Sequence, residues 1–501
     1  MKNKVQLIAY ADRLGGDGLA GLAQQLRGPL RGLFGGVHIL PFFYPIDGAD
    51  AGFDPIDHTR VDPRLGGWED IEALTRELDV MADVIVNHIS ADSAQFRDYL
   101  KHDEASRYSG LFLTRDKVFP DGATDADLKK IYRPRPGLPF TSMQFANGRR
   151  RELWTTFSPN QIDIDVRHPQ GVAYLERILD VFGENGIRMV RLDAAGYAIK
   201  KAGGSCFMMP ETFEFITAFG ARARARDIEC LVEVHAHHRQ QIDIGAHVDW
   251  VYDFALPPLI LHAFSFHTAA NLKEWIRIRP TNALTVLDTH DGIGIIDIGP
   301  DRSDPDRRPG LVPAGDLDRL VGEIHRNCHD QSRQATGTAA SNLDLYQVNC
   351  TFYDAMGRDP QRYLAARAAQ FFLPGIPQVY YVGLLAGTND MELLARTGVG
   401  RDINRHYYPV EEIEAALRQP VVMRLLDLIR LRNSHPAFDG DFTLAESAND
   451  VLDVKWVNGA EVARLRIDFG SPACELTYTE RGRLRGFGFG DATAASVARS
   501  E

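Results

Sequence analysis

At 501 residues, 44% of them hydrophobic, the chain can bury a large core, and its length predicts two to four domains, which excludes a disordered or fibrous class. The net charge of -12, from 56 basic and 68 acidic residues, sets up a long-range field that repels phosphate backbones and anionic membranes, so neither nucleic acid nor membrane is an expected partner. Five cysteines, Cys206, Cys230, Cys328, Cys350 and Cys474, lack C-x-x-C spacing and fit a reducing cytoplasm better than a disulfide framework or structural zinc.

The chain opens on Met1-Lys2-Asn3-Lys4-Val5 and a short apolar run at 7–10, too short for a secretory core or a membrane span. A soluble, unprocessed, cytoplasmic protein is therefore expected. Short β-branched runs ending in polar residues follow at 5–9, 37–40, 81–86, 188–192, 228–232, 248–252, 284–287 and 378–381, which makes eight candidate strands. Between them lie helical patterns: Leu175, Ile178, Leu179 and Phe182 at i, i+3, i+4, i+7, Phe213 and Ile216 in another, and Trp68, Ile71, Leu74 and Leu78 nearly so. Strands alternating with helices predict a parallel sheet, and eight such units close into a (β/α)8 TIM barrel with its chemistry at the carboxyl ends of the strands.

Two intervals exceed one helix and predict loop-rich inserted subdomains at 89–167, after the third strand, and at 296–355, after the seventh. The first is rich in Pro and Gly around Arg133-Pro134-Arg135-Pro136-Gly137. The second carries a charged stretch at 301–309 and then Asn342-Leu343-Asp344-Leu345-Tyr346-Gln347. Both are expected to cover the active face. The barrel is assigned 1–88, 168–295 and 356–435. Beyond an apolar helix ending near Asn433, alternating Val454 and Trp456, a turn at Asn458-Gly459, then Leu465, Ile467 and Phe469 predict a hairpin in a small all-β domain over 436–501. Residues 491–501, Ala- and Ser-rich, are expected to fray.

Four predicted strands end in acidic or imidazole groups: Asp83-Val84-Ile85-Val86-Asn87-His88, Arg191-Leu192-Asp193-Ala194-Ala195-Gly196-Tyr197, Val232-Glu233-Val234-His235 and Leu287-Asp288-Thr289-His290-Asp291. Asp193 and Glu233 stand 40 residues apart, one βα unit, and so would end neighbouring strands and face each other across a glycosidic bond. A retaining double displacement needs two such carboxyls roughly 5 to 5.5 Å apart, one attacking the anomeric carbon and one protonating the leaving oxygen. Arg191 shares a strand face with Asp193 and would keep it ionised. Glu233, flanked by apolar Val232 and Val234, is expected to be desolvated towards its protonated form. Asp291 would fix sugar hydroxyls and stabilise an oxocarbenium-like transition state.

Singly, each motif has a plainer explanation. An Arg-x-Asp pair is usually a structural ion pair, a Glu ending a buried strand often caps a helix, and His-Asp-Gly often marks a turn. Their joint occurrence in this order, at barrel-unit spacing with Asn87-His88 upstream, argues for a site.

The four segments resemble the conserved regions of the alpha-amylase superfamily, and the intervening chain resembles its sucrose phosphorylase branch over nearly its whole length. Gly52-Phe53-Asp54-Pro55-Ile56-Asp57 followed by Asp62-Pro63-Arg64-Leu65-Gly66 resembles the loop after the second strand. Tyr132-Arg133-Pro134-Arg135-Pro136-Gly137, Asp253-Phe254-Ala255-Leu256-Pro257-Pro258 and Gly400-Arg401-Asp402-Ile403-Asn404-Arg405 are similar to signatures of the branch. The resemblance implies reversible phosphorolysis of sucrose to α-glucose 1-phosphate and fructose. Asp193 is then the nucleophile, Glu233 the general acid/base and Asp291 the transition-state stabiliser. Asp50, Phe53, His88, Phe157, Arg191, His290 and Arg401 would hold the glucosyl unit. Tyr132, Pro134, Arg135, Tyr197, Val234, His235, Asp344, Leu345, Tyr346 and Gln347 would meet fructose or inorganic phosphate. Arg135, a planar fork suited to phosphate oxygens, and Asp344, suited to hydroxyl-rich fructose, are expected to exchange between the half-reactions.

Ala236-His237-His238 departs from the aromatic residues of much of the branch. It keeps open phosphorylases of glucosylglycerol or glucosylglycerate, while a phosphorylase of sucrose 6'-phosphate would need extra positive charge where fructose binds, against which Asp344 argues. A sucrose or α-glucoside hydrolase would use the same carboxyls and admit water, and a non-catalytic partner of a transporter would lose them. Asn87 ligates calcium in many amylases, but no cluster of carboxylates supports it here, and neither metal nor cofactor is expected. A homodimer is one assembly the resemblance leaves open.

Overall fold

The structure is a computed structural model that describes residues 1–47, 51–133, 135–301, 308–336, 347–471 and 473–489. The expectations placed on Asp50, Pro134, Asp344, Leu345, Tyr346 and the 491–501 tail lie outside those residues. Eight short strands, each an almost wholly buried run, close into a parallel barrel: β1 Gln6–Ala9, β2 Gly36–Ile39, β3 Asp79–Ile85, β4 Met189–Asp193, β5 Glu229–Val232, β6 Trp250–Asp253, β7 Ala283–Thr285 and β8 Ile376–Tyr380. Burial on both faces explains why the strands read as continuous apolar runs rather than alternating ones. All eight coincide with the runs picked out from sequence.

Every strand pairs with its neighbours in chain order, and β8 returns to β1. The register decides the site. Arg191 of β4 lies beside Asp83 of β3 and Leu231 of β5, and Leu192 lies beside Val232. Asp193 and Glu233 thus leave adjacent strands at one level, at the barrel's carboxyl rim.

The helix Pro169–Glu184 buries Leu175, Ile178, Leu179 and Phe182, the predicted stripe, against the barrel. Pro169 suits its first turn, where the missing N–H costs nothing. Helix Pro210–Arg224 buries Phe215, Ile216 and Phe219. Helix Trp68–Thr75 buries Ile71 and Leu74, but Leu78 falls beyond its end.

Between β3 and β4 the chain forms two small antiparallel pairs, His88–Ser90 with Gln161–Asp163 and Phe140–Gln144 with Arg150–Trp154. Between β7 and β8, Ile293–Gly294 pairs with Gln347–Val348, and the same interval of the chain carries the helices Ala314–Asn327 and Pro360–Phe372. After the helix Pro420–Ser434 comes a five-stranded antiparallel sheet, β9 Asp441–Leu444, β10 Val451–Asn458, β11 Glu461–Asp468, β12 Ala473–Glu480 and β13 Arg483–Phe487. The β10–β11 hairpin is the predicted one, with its turn one residue later: Asn458 still pairs with Glu461, so Gly459 and Ala460 make the loop. Gly459 supplies the positive φ of 58° that a two-residue turn needs. Trp456 Nε1 donates to the Phe372 carbonyl at 2.7 Å and ties this sheet to the barrel's helical layer. Among the described residues no helix is long and apolar enough to cross a membrane, and all five cysteines are free thiols.

Candidate active site

Arg191 forms the floor of the site. Only 3% of its side chain is exposed, and its Nη1 lies 2.5 Å from Asp83 Oδ1 and 3.0 Å from Asp193 Oδ1, while Nη2 lies 3.6 Å from Glu233 Oε1. One planar fork therefore bridges the two carboxyls singled out from sequence and sets their spacing. Burial works against the Arg191 charge, but Asp83, Glu233 and Asp193 outweigh it and hold the guanidinium well above its ordinary range. Behind it, His38 Nε2 sits 2.9 Å from Asp83 Oδ2. Burial pushes the Asp83 carboxyl up, yet His38 and Arg191 together bring it down to about 2.

Asp291 stands on the loop after β7. Burial opposes its charge, and Arg401, whose Nη1 lies 3.0 Å from Oδ1, together with His290, Arg405 and Arg191 keeps the carboxyl well below the carboxylate range. Arg405 Nε donates to the His290 carbonyl at 2.9 Å and fixes that loop. Burial holds the His290 imidazole neutral, and its ring stacks on Phe53 with centroids 4.8 Å apart and planes 10° apart. The other imidazole, His88, pairs Nε2 with the Phe53 carbonyl at 3.0 Å and meets the Phe157 ring edge-on at 5.4 Å. Ala194, directly after Asp193, takes φ 55° and ψ 22°, a left-handed conformation that few residues other than Gly, Asn and Asp adopt and that turns the chain sharply under the site.

These groups open on one shared cavity. Asp193, Glu233 and Asp291 line it, as do Phe53, His88, Phe157, His290 and Arg401, and also Arg135, Tyr197, Val234, His235 and Gln347. Gln347 is held there by its Nε2 donating to the Gly292 carbonyl at 3.1 Å. Two expected residues stand behind the wall instead. Arg191 is the buried floor, and Tyr132 packs on Tyr197 and Phe207, with ring centroids 6.2 and 4.7 Å away. Gln161, Ala194, Gly196, Phe207, Gly294 and Ile296 also line the cavity and were not singled out from sequence. Ala194 and Gly196 stand within the segment 191–197 that carries the nucleophile. Gln161 opens the short strand Gln161–Asp163, and Phe207 and Ile296 lie outside the strands and α-helices, where the local pattern carries no signal.

Two cations stand near the Glu233 carboxyl: Arg191 at 3.6 Å and His235 Nε2 at 3.9 Å. Burial alone would push the His235 imidazole down, but Asp297 Oδ2, 2.9 Å from Nδ1, outweighs it and raises the group to about 9. Ala236, His237 and His238 do not line the cavity. His237 accepts from the Arg239 N–H and caps the helix His238–Gly245, its Nε2 donates to the Pro309 carbonyl at 3.1 Å, and the His238 ring packs against it. The departure from the family pattern at these positions thus supports the wall without touching its contents.

One ligand atom each from Glu233, His235 and Asp291 lies within 4.8 Å of the others, a spacing a metal could bridge. Arg191 and Arg401 already neutralise the two carboxylates and His235 carries charge, so this donor set suits a neutral, hydroxyl-rich ligand better than a cation. At Asn87, Lys200 holds the place of an ion: its ammonium donates to Asn87 Oδ1 and to the Tyr197 carbonyl and lies 2.5 Å from Asp163 Oδ2, with Lys200 and Asp163 both buried. Asn87 Nδ2 donates in turn to Asp163 Oδ2 at 3.0 Å.

Residues 11–254 match the family model described as the alpha amylase catalytic domain. Over 95% of its length the chain is 57% identical to a sucrose phosphorylase of Agrobacterium vitis, of which 97% is covered. Over 93% it is 53% identical to a sucrose phosphorylase of Bifidobacterium adolescentis, of which 92% is covered. The crystal structure of sucrose 6F-phosphate phosphorylase from Thermoanaerobacter thermosaccharolyticum superposes with a TM-score of 0.87 at 38% identity, covering 97% of this chain and 98% of that one. The chain belongs to the alpha-amylase superfamily, in its sucrose phosphorylase branch.

Proposed function

We propose that the chain is a sucrose phosphorylase, which converts sucrose and inorganic phosphate reversibly into α-glucose 1-phosphate and fructose with retention. The observation that carries this reading is the Arg191 fork, which joins Asp193 and Glu233 at adjacent strand ends on the floor of one cavity that Arg135 also lines. The likeness to two sucrose phosphorylases over nearly the whole chain supports the choice of substrate.

In the first half-reaction an Asp193 carboxylate oxygen bonds to the anomeric carbon as the bond from that carbon to the bridging oxygen breaks. Glu233 gives its proton to that oxygen, and fructose leaves. Asp291, held anionic by Arg401, lies where positive charge develops on the sugar ring. His88, His290 and Phe53 shape the glucosyl end of the cavity. Forming the Asp193 ester removes one anion from Arg191, which then faces Asp83 and Glu233. In the second half-reaction a phosphate oxygen attacks the same carbon, Glu233 takes the phosphate proton, and Asp193 leaves as carboxylate. Two inversions give net retention. Arg135 and His235 supply positive charge for the anionic acceptor. Residues 89–167, which bring Arg135 and Phe157, and 296–355, which bring Ile296 and Gln347, act as the covers of the cavity.

The test is 31P NMR of sucrose plus phosphate, with sucrose 6'-phosphate, glucosylglycerol and glucosylglycerate as parallel substrates. Formation of α-glucose 1-phosphate at the highest rate from sucrose is expected. Faster turnover of another donor, or release of glucose at full rate without phosphate, overturns the assignment.

A further inference from the structure

The buried carboxyl of Asp297 has no part in the chemistry described above, yet it reaches the cavity through one ring. Its Oδ2 lies 2.9 Å from His235 Nδ1, and its Oδ1 accepts from the Ala236 N–H at 3.1 Å and from Gln241 Nε2 at 2.9 Å. The side chain is wholly buried, so three directed contacts leave it a single orientation. Phe254 stacks on the other side of the His235 ring, with centroids 4.0 Å apart and planes 16° apart. The ring is clamped at one edge and across one face, and its remaining polar atom, Nε2, has no hydrogen-bond partner among the described residues. That atom lies 3.9 Å from Glu233 Oε1, on a residue that lines the cavity.

Gly294 shows how closely the pair is enclosed. A Cβ at that position would lie 2.4 Å from Asp297 Oδ2 and 2.8 Å from His235 Nδ1, so a glycine is required where the chain passes over this hydrogen bond.

Resting on the proposed phosphorolysis, we propose that Asp297 is a positioning residue for the acceptor half-reaction: it anchors the Nδ1 edge of His235 so that Nε2–H is presented, beside Glu233, to an oxygen of the incoming phosphate. An anionic Asp297 accepts at Nδ1 and so obliges that nitrogen to carry a proton. The charged groups facing the ring are Asp297, Glu233 and Asp291, all of which favour its cation, against burial, which opposes it. With Nε2 also protonated, the ring offers a charge-assisted donor that selects an anionic acceptor over water. The arrangement predicts a cost in phosphate capture, not in the attack of Asp193, when Asp297 is lost.

The test is Asp297→Asn, which keeps the shape and removes the charge. The KM for phosphate is expected to rise roughly tenfold or more, with kcat at saturating phosphate changing far less. The alkaline limb of phosphate affinity, set in the parent protein by a group titrating at about 9, is expected to move down towards about 6.5. Gln241→Met, which removes one donor to Asp297 and leaves His235 in place, is expected to shift both readouts in the same direction by less, and it serves if the first variant does not fold. NMR titration of the His235 ring in the parent and variant proteins is independent of turnover. If the parent makes no α-glucose 1-phosphate, the functional reading fails and the ring titration still decides this inference. An unchanged phosphate KM with an unchanged alkaline limb, or a His235 ring that titrates alike in both proteins, overturns it.

Discussion

Arg191 and Asp83 form an ion pair across two adjacent barrel strands, 2.5 Å apart, with 3% and 0% of their side chains exposed. Replacing Arg191 by Met leaves the Asp83 carboxylate buried without its guanidinium partner, at a cost on the order of 3–5 kcal/mol. Urea unfolding monitored by Trp fluorescence should show the midpoint falling at constant slope. A variant as stable as the parent would mean that the pair adds little to the barrel.

The same pair makes stability depend on acid. The Asp83 carboxyl drops from its ordinary 3.8 to about 2 on folding, burial being outweighed by His38 and Arg191. A depressed carboxylate contributes stability that is fully present above the unfolded value and is lost as pH falls through the folded one. Its share, on the order of 2 kcal/mol, should therefore fade between pH 4 and pH 2. Asp83→Asn should flatten that part of the curve, measured by urea unfolding across the window.

Asp193→Asn should lower turnover by several powers of ten, because a carboxamide does not form the glucosyl ester. Glu233→Gln should instead leave the ester able to form from activated donors with good leaving groups, which need no proton. Mass spectrometry of each variant after mixing with α-glucosyl fluoride separates the two roles: a covalent adduct is expected in Glu233→Gln and not in Asp193→Asn. Equal adduct formation in both would remove the assignment.

Arg135→Ala should raise the KM for phosphate roughly tenfold while the first half-reaction, followed as fructose released in a single turnover, keeps its rate. Slowing of that first step instead would place Arg135 at the sugar rather than at the phosphate.

The barrel was legible in the sequence because strands buried on both faces leave unbroken apolar runs, and the interval between Asp193 and Glu233 was legible because one βα unit has a characteristic length. Asp83 stood in a recognised motif, yet its task could not be read there, since the pairing of Arg191 with Asp83 depends on the register between β3 and β4. The cations beside Glu233 were hidden for a related reason: they come from the preceding strand and from two positions onward. Phe207 was invisible because the loop that carries it has no period, Gln161 because its strand is only three residues long, and Asp297 because its partner lies 62 residues away.

The Lys200 ammonium, seated against Asn87, Asp163 and the Tyr197 carbonyl, has a practical corollary. A positive charge tethered to the backbone cannot be washed out, so EDTA should leave the melting temperature and the rate where they were. By the same token Lys200→Met should be beyond rescue by any calcium salt, since the fold has made its counterion part of its own chain.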